Sequence, residues 1–443
     1  MLHSHPHPER IAGVKQAIVV GTGAGGATVA KELQGSFDVT ILEAGGEFKP
    51  FKTSLSFLDK LRHTGLFFDE REIQFLFPTM RIRKTDHSIV LVNGIGLGGT
   101  TTIATGNGVR MDRDLKALGI DLEDEFQELS REIPITTEHQ RRWHPTTKRL
   151  FRICDEMGLA PLPTPKMGDY SRCIRCGRCT LGCSEGAKWD ARLFLSKSVG
   201  AGARLITNCM VEQVVIRDGL AVGVEAKRGW TREFFPADLI VLAAGGLGTP
   251  VILQNSGIPC EDRLFVDPVL CVAARSPEIK YQNEIQMPFI VQRDHYILSP
   301  YFDYLSFFFN REWKPSLSDI VGLMIKLADE PLGAISKDGL KKCLTDLDRQ
   351  RLDDGVRLCR EILGRFGVKE EDIFLGTVNA GHPGGMLPLT DREAFSLHPQ
   401  VLPDNLYVAD ATLLPNSLGN PPILTIVALA KRLSKQCVHL FCA

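Results

Sequence analysis

Four closely spaced cysteines carry the most distinctive chemistry in this 443-residue chain. The segment CIRCGRCTLGC has the spacing C-x2-C-x2-C-x3-C, which occurs in iron–sulfur ferredoxins. Two-residue loops let thiolates converge on one metal centre, so the pattern favours a single 4Fe–4S cluster. The fourth ligand is either the last cysteine of the segment or a remote thiol such as Cys154 or Cys209. The predicted metal ligands are Cys173, Cys176, Cys179 and Cys183.

Two other interpretations of this segment stay open. A zinc site made of four cysteines is one, although zinc motifs usually separate two C-x2-C pairs by many residues. A reduced loop that binds no metal is the other. Ser184 follows the last cysteine where a ferredoxin usually has proline, so the match to the ferredoxin pattern is incomplete.

A glycine-rich turn near the N-terminus predicts a dinucleotide-binding site. Gly21, Gly23 and Gly26 form G-x-G-x-x-G between an apolar strand pattern and a helix pattern. The first glycine permits a tight turn, the second lets the backbone approach a pyrophosphate, and the third lets helix and strand pack closely. Glu43 ends the next strand pattern, where a carboxylate accepts hydrogen bonds from an adenosine ribose.

Four separated segments of the chain resemble one known family. In order they are LEAGG, GIGLGGTTTIATGNG, LAAGGLGTPVILQNSGI and NLYVADATLLPNSLGNPPILTIVALAKR. Together they resemble the glucose-methanol-choline (GMC) oxidoreductases, which are FAD-binding alcohol oxidases and dehydrogenases. The resemblance implies FAD as the cofactor, and some members carry a similar cysteine stretch within the flavin domain, which supports the metal-free interpretation. The further FAD contacts that the resemblance implies are Gly98, Gly99, Thr100, Val211, Asp410 and Ala411.

The resemblance also implies a catalytic pair. His382, in the segment AGHPGG, resembles the family's histidine that takes the alcohol proton while a hydride passes to the flavin N5 atom. An imidazole that titrates near neutral pH suits this role as a general base. Aligned with the family pattern, Pro421 occupies the position of the second histidine or asparagine. Asn420, one residue earlier, is the candidate partner, and Asn379 is a weaker one.

The pattern of strands and helices predicts an α/β (α+β) fold. We expect a Rossmann-like FAD-binding domain with a smaller substrate domain of antiparallel sheet plus helices. The predicted ranges are 14–110 for the first part of the FAD-binding domain, 111–172 for a helical excursion, 173–268 for the cysteine segment and the second part, 269–374 for the substrate domain, and 375–443 for the third part with the catalytic histidine.

An aromatic segment of the predicted substrate domain bears on the substrate. The sequence YILSPYFDYLSFFFN is read as a strand, on which the aromatic side chains either face the substrate or pack in the core. Core packing is the plainer explanation. A substrate-facing arrangement would favour an apolar or aromatic alcohol over a sugar. The aromatic residues concerned are Phe302, Tyr304, Phe307 and Phe309.

The composition argues against several classes of function. A net charge of -1 gives no electrostatic basis for binding nucleic acid or an anionic membrane. No apolar run reaches the roughly 18 residues of a membrane-spanning helix. No signal peptide is visible, and 12 cysteines without an export signal are expected to be reduced. We therefore expect a cytoplasmic protein.

These motifs together predict an FAD-dependent dehydrogenase that oxidises a hydroxyl group. The expected partners are a small-molecule alcohol and, through the 4Fe–4S cluster, an electron-accepting protein or partner subunit. A flavin-dependent reductase or isomerase is an alternative, because Pro421 departs from the family pattern. A non-catalytic electron-transfer subunit that keeps FAD and the cluster within a larger complex is another alternative.

Overall fold

The structure is a computed structural model that describes residues 14–51, 59–60, 62, 69–72, 77, 79–277, 279 and 283–442. Within these ranges, no helix combines the length and the apolar character that a bilayer crossing requires. Strands and helices alternate through the first and last parts of the chain, whereas strands dominate the middle.

The strands are numbered in chain order. They are β1 Gln16–Val20, β2 Asp38–Leu42, β3 Met80–Lys84, β4 Val90–Gly94, β5 Ile135–Thr136, β6 Leu162–Pro163, β7 Lys166–Met167, β8 Arg204–Ile206, β9 Met210–Arg217, β10 Leu220–Arg228, β11 Thr231–Pro236, β12 Leu239–Leu242, β13 Val269–Arg275, β14 Phe289–Gln292, β15 Tyr296–Pro300, β16 Ile320–Leu327, β17 Gly333–Ser336, β18 Gly339–Lys342, β19 Ile373–Leu375, β20 Asn379–Ala380 and β21 Leu406–Val408.

The α-helices are numbered in the same way, and short 3-10 turns are left without labels. The helices are α1 Ala24–Glu32, α2 Arg113–Ala117, α3 Glu123–Glu132, α4 Pro145–Glu156, α5 Arg192–Gly200, α6 Gly245–Asn255, α7 Tyr304–Phe309, α8 Asp346–Arg365 and α9 Ile423–Cys442.

The first sheet has five parallel strands in the order β21-β12-β1-β2-β8. Its strands β1 and β12 have the apolar sequences QAIVV and LIVL and are almost fully buried, as expected where helices cover both faces of a parallel sheet. Helix α1 packs against α9 and α5. This sheet confirms the predicted Rossmann-like domain, and its carboxyl edge is where such folds bind dinucleotides.

The second large sheet has nine strands, most of them antiparallel, in the order β3-β4-β20-β13-β16-β15-β14-β6, with β19 beside β13. Every residue of β16 is buried, because α8 covers the sheet at β13, β15 and β16. A capping box starts α8: Thr345 accepts from the backbone of Asp348, whose side chain accepts from the backbone of Thr345. The antiparallel sheet plus helix of the prediction is therefore present, while the domain boundaries stay a prediction.

The aromatic segment differs from the prediction of a single strand. Strand β15 ends at Pro300, and Asp303 then caps helix α7 by accepting hydrogen bonds from the backbone of Leu305 and Ser306. An aspartate N-cap satisfies backbone donors that a strand would leave for a neighbouring strand, so the local turn chemistry overrides the aromatic strand preference. The predicted strand is therefore wrong beyond Pro300.

Candidate active site

A long cavity of about 680 Å³, the first cavity, lies at the carboxyl edge of the five-stranded sheet. Its walls come from the ends of β1, β2 and β12, from the start of α1, and from segments remote in sequence. Most of the residues predicted to contact a dinucleotide, together with the predicted base, line this one cavity. They are Gly21, Gly23, Glu43, Gly99, Thr100, Val211, His382, Asp410 and Ala411.

Each glycine of the glycine-rich turn has a different structural role. Gly21 has a φ of +97°, in the left-handed region that favours glycine. A Cβ atom at Gly26 would lie 2.0 Å from the carbonyl oxygen of Gly21, so a side chain there would separate α1 from β1. A Cβ atom at Gly23 would meet no protein atom within 4 Å, which leaves open cavity beside the turn. Sequence reasoning missed Gly25, where a Cβ atom would lie 1.5 Å from the carbonyl oxygen of Ala409.

Glu43 is held at the end of β2 by neutral donors. Its Oε2 atom accepts from the backbone and the hydroxyl of Thr22, at 2.9 and 2.6 Å, and Oε1 accepts from the backbone of Gly45 at 3.0 Å. Burial raises the pKa of Glu43, and these hydrogen bonds oppose the rise. The carboxylate thus faces the first cavity in a fixed orientation. Thr22 was missed from the sequence because it is a variable position of the glycine motif.

The predicted Gly98–Gly99–Thr100 segment packs directly on the glycine-rich turn. The backbone of Gly98 donates to the hydroxyl of Thr22 at 3.1 Å, and a Cβ atom at Gly99 would lie 2.9 Å from the Cα atom of Gly23. Gly98 and Gly99 both have positive φ values, +91° and +54°. Gly98 itself does not line the first cavity, but it supports Gly99 and Thr100, which do.

Asp410 fixes the opposite wall of the first cavity. Its Oδ2 atom accepts from the backbone of Gly245 at 2.9 Å and from the hydroxyl of Thr249 at 2.5 Å, while Oδ1 accepts from the backbone of Thr412. Burial raises the pKa of Asp410. These contacts join the C-terminal segment, including Ala411, to the start of α6. Val211, the remaining predicted contact, lies on the buried face of β9.

A second cavity of about 160 Å³ adjoins the first one. The two cavities share four lining residues, which are Thr100, Gly381, His382 and Ile423. Aromatic, aliphatic and methionine side chains form most of the wall of the second cavity, and Asp303, Lys326 and Asn379 are among the few polar groups. A largely apolar pocket with a few convergent polar groups is the usual form of a small-molecule site.

His382 stands where the two cavities meet. Its Nδ1 atom lies 3.6 Å from Oδ2 of the buried Asp267, and no hydrogen-bond partner is in range of that nitrogen among the described residues. Burial lowers the pKa of His382, and the charge of Lys326 lowers it further, whereas Asp267 raises it. This lowered pKa favours the neutral imidazole, the form that accepts a proton.

Asp267 and Lys326 were missed from the sequence. Asp267 precedes β13 with a φ of +52°, a left-handed conformation that is uncommon outside glycine and that often occurs at functional sites. Its Oδ2 atom accepts from Nζ of Lys326 at 2.5 Å, and Oδ1 accepts from the hydroxyl of Ser417. Burial raises the pKa of Asp267, but Lys326 and His382 outweigh it and hold the pKa at about 2. No local motif marks an aspartate and a lysine 59 residues apart as partners.

The two predicted asparagine partners of His382 lie in different places. Asn420 is 1% exposed, lines neither cavity, and donates to Oε1 of Gln292 at 3.1 Å. Pro421 lines the second cavity in its place. Asn379 also lines the second cavity and donates to Oδ2 of Asp303 at 3.3 Å. The structure thus brings Asn379, but not Asn420, to the cavity that His382 faces.

The four predicted aromatic residues divide between the cavity and the core. Tyr304 and Phe309 line the second cavity together with Phe308. Phe302 and Phe307 lie outside both cavities, and their rings pack on each other and on neighbouring aromatic side chains. Helix α7 therefore presents part of its aromatic surface to the second cavity.

The cysteine segment forms a loop with a short 3-10 turn at Cys179–Leu181. All four cysteines are free thiols, and no group of three or more histidine, cysteine, aspartate or glutamate side chains in the described part of the chain is arranged to hold a metal ion. Burial raises the pKa of Cys173 to about 11. These residues therefore do not fit a metal centre, and the 4Fe–4S prediction finds no support in their geometry.

The parallel sheet, the glycine-rich turn and the cavity at the carboxyl edge of the sheet define a dinucleotide-binding fold. The GMC oxidoreductase family model matches residues 15–270. The chain belongs to the GMC oxidoreductase family, and FAD is the cofactor of this family. The family resemblance of the sequence is therefore confirmed, and the chain is an oxidoreductase of the class that acts on CH–OH groups.

Two sequence relatives share about a quarter of their aligned residues with this chain. An uncharacterized protein of Methanocaldococcus jannaschii is 26% identical over 429 residues, which cover 94% of this chain and 98% of that protein. The long-chain-alcohol oxidase FAO1 of Arabidopsis thaliana is 25% identical over 377 residues, which cover 66% of this chain and 49% of the oxidase, so the chain spans about half of that relative's length. The crystal structure of pyridoxine 4-oxidase from Mesorbium loti superposes with a TM-score of 0.73 at 17% identity, covering 96% of this chain and 99% of that one, and this likeness supports the fold.

Proposed function

We propose that this protein is an FAD-dependent dehydrogenase that oxidises the hydroxyl group of a small alcohol by hydride transfer to flavin N5. The observation that carries the proposal is the junction of the two cavities at His382. A neutral imidazole between a cofactor site and an apolar chamber is positioned to remove a hydroxyl proton.

The first cavity fits FAD on observations of its own residues. Open space beside Gly23 would admit the pyrophosphate, because a side chain there would meet no protein atom. The oriented carboxylate of Glu43 would accept hydrogen bonds from the adenosine ribose. The other contacts proposed for FAD are Gly21 and Gly26 through the shape of the turn, and Gly98, Gly99, Thr100, Val211, Asp410 and Ala411.

Side chains of this protein would accept the proton that the reaction releases and stabilise the resulting charge. Bound FAD supplies a two-electron acceptor for the hydride of the carbinol carbon. Nδ1 of His382 faces Asp267, so Nε2 is the nitrogen left to accept the hydroxyl proton. The negative charge of Asp267 then stabilises the imidazolium that forms.

The second cavity limits the substrate. Its volume of about 160 Å³ favours a compact molecule, since drug-sized ligands occupy pockets of roughly 300–1,000 Å³. Phe308, Phe309 and Tyr304 offer apolar and aromatic surface. We therefore propose a small apolar or aromatic alcohol as the substrate.

The protein electron acceptor is a separate part of the proposal. Its support is the C-x2-C-x2-C-x3-C spacing, together with Thr180 and Leu181 of the cysteine loop, which line the second cavity. The thiols do not fit a cluster, so no electron path through one is derived. Iron analysis after anaerobic purification tests this part: about four irons per chain would support a 4Fe–4S cluster, whereas stoichiometric zinc or no metal would reject it.

An alcohol panel tests the proposed oxidation itself. The protein, purified with its FAD, is mixed anaerobically with benzyl alcohol, short aliphatic alcohols and a sugar, and the flavin absorbance is followed. We expect bleaching by the apolar alcohols with formation of the aldehyde, and slower or no bleaching by the sugar. Oxidation of the dithionite-reduced enzyme by an unsaturated or carbonyl compound, with no reduction by any alcohol, would instead support a reductase or isomerase, the alternative that Pro421 favours.

A further inference from the structure

The second cavity lacks the side chain expected beside the base. Pro421, which occupies the expected position in the wall, has no side-chain donor or acceptor. Asn420 is directed to Gln292, outside both cavities. A group that stabilises the negative charge developing on the substrate oxygen must therefore come from another element.

Lys326 is the cationic side chain that the described structure places in that cavity. It lies on the central strand β16, is 1% exposed and lines the second cavity, as His382 does. Among the described residues, Oδ2 of Asp267 is the only hydrogen-bond acceptor of its Nζ atom, at 2.5 Å. An ammonium group has three N–H donors, so two are left for a molecule in the cavity.

A second buried lysine shows what a purely structural pair looks like. Nζ of Lys342 contacts Oδ2 of Asp329 at 2.7 Å and donates to the carbonyl oxygens of Glu330 at 2.7 Å and Leu264 at 3.1 Å. All three of its donors thus have acceptors, and Lys342 lines neither cavity. Both ion pairs are buried. The two lysines therefore differ in whether their N–H donors remain free and in whether they line a cavity.

We propose that Lys326 is a second catalytic residue of this enzyme: its ammonium group donates a hydrogen bond to the substrate oxygen while His382 removes the hydroxyl proton. The inference rests on the proposed oxidation of an alcohol. Asp267 joins the two groups, since its Oδ2 atom accepts from Lys326 and lies 3.6 Å from Nδ1 of His382.

The step balances without any further reactant. The O–H bond breaks and its proton goes to Nε2 of His382, while the C–H bond breaks and bound FAD would take up the hydrogen with its electron pair. The oxygen forms the carbonyl of the product. Lys326 keeps its protons throughout and stabilises the charge on that oxygen, a role of preorganised donors in apolar sites.

The matched substitutions are Lys326→Met and Lys342→Met, each of which removes the cation of a buried pair. Both are expected to lower thermal stability, since each leaves an aspartate unpaired. Alcohol-driven flavin reduction, measured per bound FAD, should fall by about 10²–10³-fold in the Lys326 variant, the usual effect of losing such a donor. It should stay near the parent rate in the Lys342 variant. Equal rates in the two variants would overturn the proposal.

The pH profile separates a catalytic role from a structural one. Asp267, Asp329 and His382 are the titratable groups nearest to Lys326, and Asp303 lies in the same cavity wall. Lys326 lowers the pKa of His382, so the acid limb of the rate profile should move to higher pH in Lys326→Met. An unmoved acid limb would contradict the electrostatic coupling of Lys326 to His382. If Lys326→Met does not retain FAD, Lys326→Gln takes its place, because the amide keeps a donor for Asp267. The rate of alcohol-driven flavin reduction and its pH profile are then measured on Lys326→Gln.

Trifluoroethanol distinguishes failure of this inference from failure of the proposed function. It is an acidic alcohol and a poor hydride donor, so its binding is read from the flavin spectrum without turnover. The expected dissociation constant is at least about tenfold higher in Lys326→Met and unchanged in Lys342→Met. If no alcohol reduces the parent protein, yet trifluoroethanol binding depends on Lys326, the proposed alcohol oxidation is rejected. The role of Lys326 in binding the hydroxyl oxygen of an alcohol then stands. If alcohols reduce the parent and neither readout depends on Lys326, the inference alone fails.

Discussion

The two cavities of this protein are built by different means. Glycine-rich turns at the ends of parallel strands form part of the wall of the first cavity. The second is lined by side chains from segments far apart in the sequence, including Lys326, Asp303 and Asn379. The proposed cofactor site therefore depends in part on local backbone geometry, whereas the proposed substrate site depends on the tertiary placement of individual side chains.

The largest effects of substitution are expected at the glycine-rich turn. Gly23→Val should abolish FAD binding in a protein that still folds, because its side chain would enter open cavity. Gly26→Val should lose FAD by unfolding, at a cost of about 1–3 kcal/mol or more, because its Cβ atom would lie 2.0 Å from a carbonyl oxygen. Flavin absorbance and circular dichroism of both variants measure the difference. A folded Gly23→Val protein with stoichiometric FAD would refute the pyrophosphate assignment.

Substitution of His382, at the junction of the two cavities, should affect catalysis and not FAD binding. His382→Ala should keep FAD and reduce alcohol-driven flavin reduction by roughly two to four orders of magnitude, the scale of a lost general base. In the parent protein the rate should rise with pH as His382 loses its proton, and burial places that midpoint below the ordinary histidine pKa. Stopped-flow spectroscopy gives both results. A near-parent rate would move the base to another titratable residue of the second cavity.

Asn420 and Asn379 should differ in their effects. Asn379→Ala should slow flavin reduction moderately, because Asn379 lines the second cavity. Asn420→Ala should have little effect on the rate, because its side chain contacts Gln292 outside both cavities. Steady-state rates with one alcohol compare the two variants directly. The reverse order would restore Asn420 as the catalytic partner that the sequence predicts.

The smallest effect is expected at the cysteine loop. Cys176→Ser should leave the FAD content and the alcohol-driven rate essentially unchanged, because Cys176 lines neither cavity. Anaerobic stopped-flow measurement beside the parent protein checks this. A strong loss of flavin reduction would make the loop part of the active site. Loss of iron alone, with flavin reduction intact, would instead support the electron-transfer role that the cysteine spacing predicts.

Much of the first cavity could be predicted from the sequence. Gly21, Gly23 and Glu43 belong to one strand–turn–helix–strand unit, so their spacing along the chain fixes their relative positions. The family resemblance added the segments around Gly99 and Asp410. Both rest on local backbone geometry, which short motifs encode.

The polar groups of the second cavity could not be predicted in this way. Asp267 and Lys326 meet only because β13 and β16 pair in the nine-stranded sheet, a pairing that no local pattern specifies. The helix at Tyr304–Phe309 was misread because the aspartate that caps it precedes a run of strand-favouring aromatics. The cysteine spacing suggested a metal site that the side-chain geometry does not form.

Anaerobic reduction of the bound FAD by an alcohol deuterated at the carbinol carbon tests the central claim most directly. Benzyl alcohol should bleach the flavin with one aldehyde formed per FAD. The dideuterated alcohol should do so more slowly, since the C–H bond breaks in the step beside His382. The rate should also depend on the ionisation of His382. If dithionite bleaches the flavin and no alcohol does so, the protein does not oxidise hydroxyl groups.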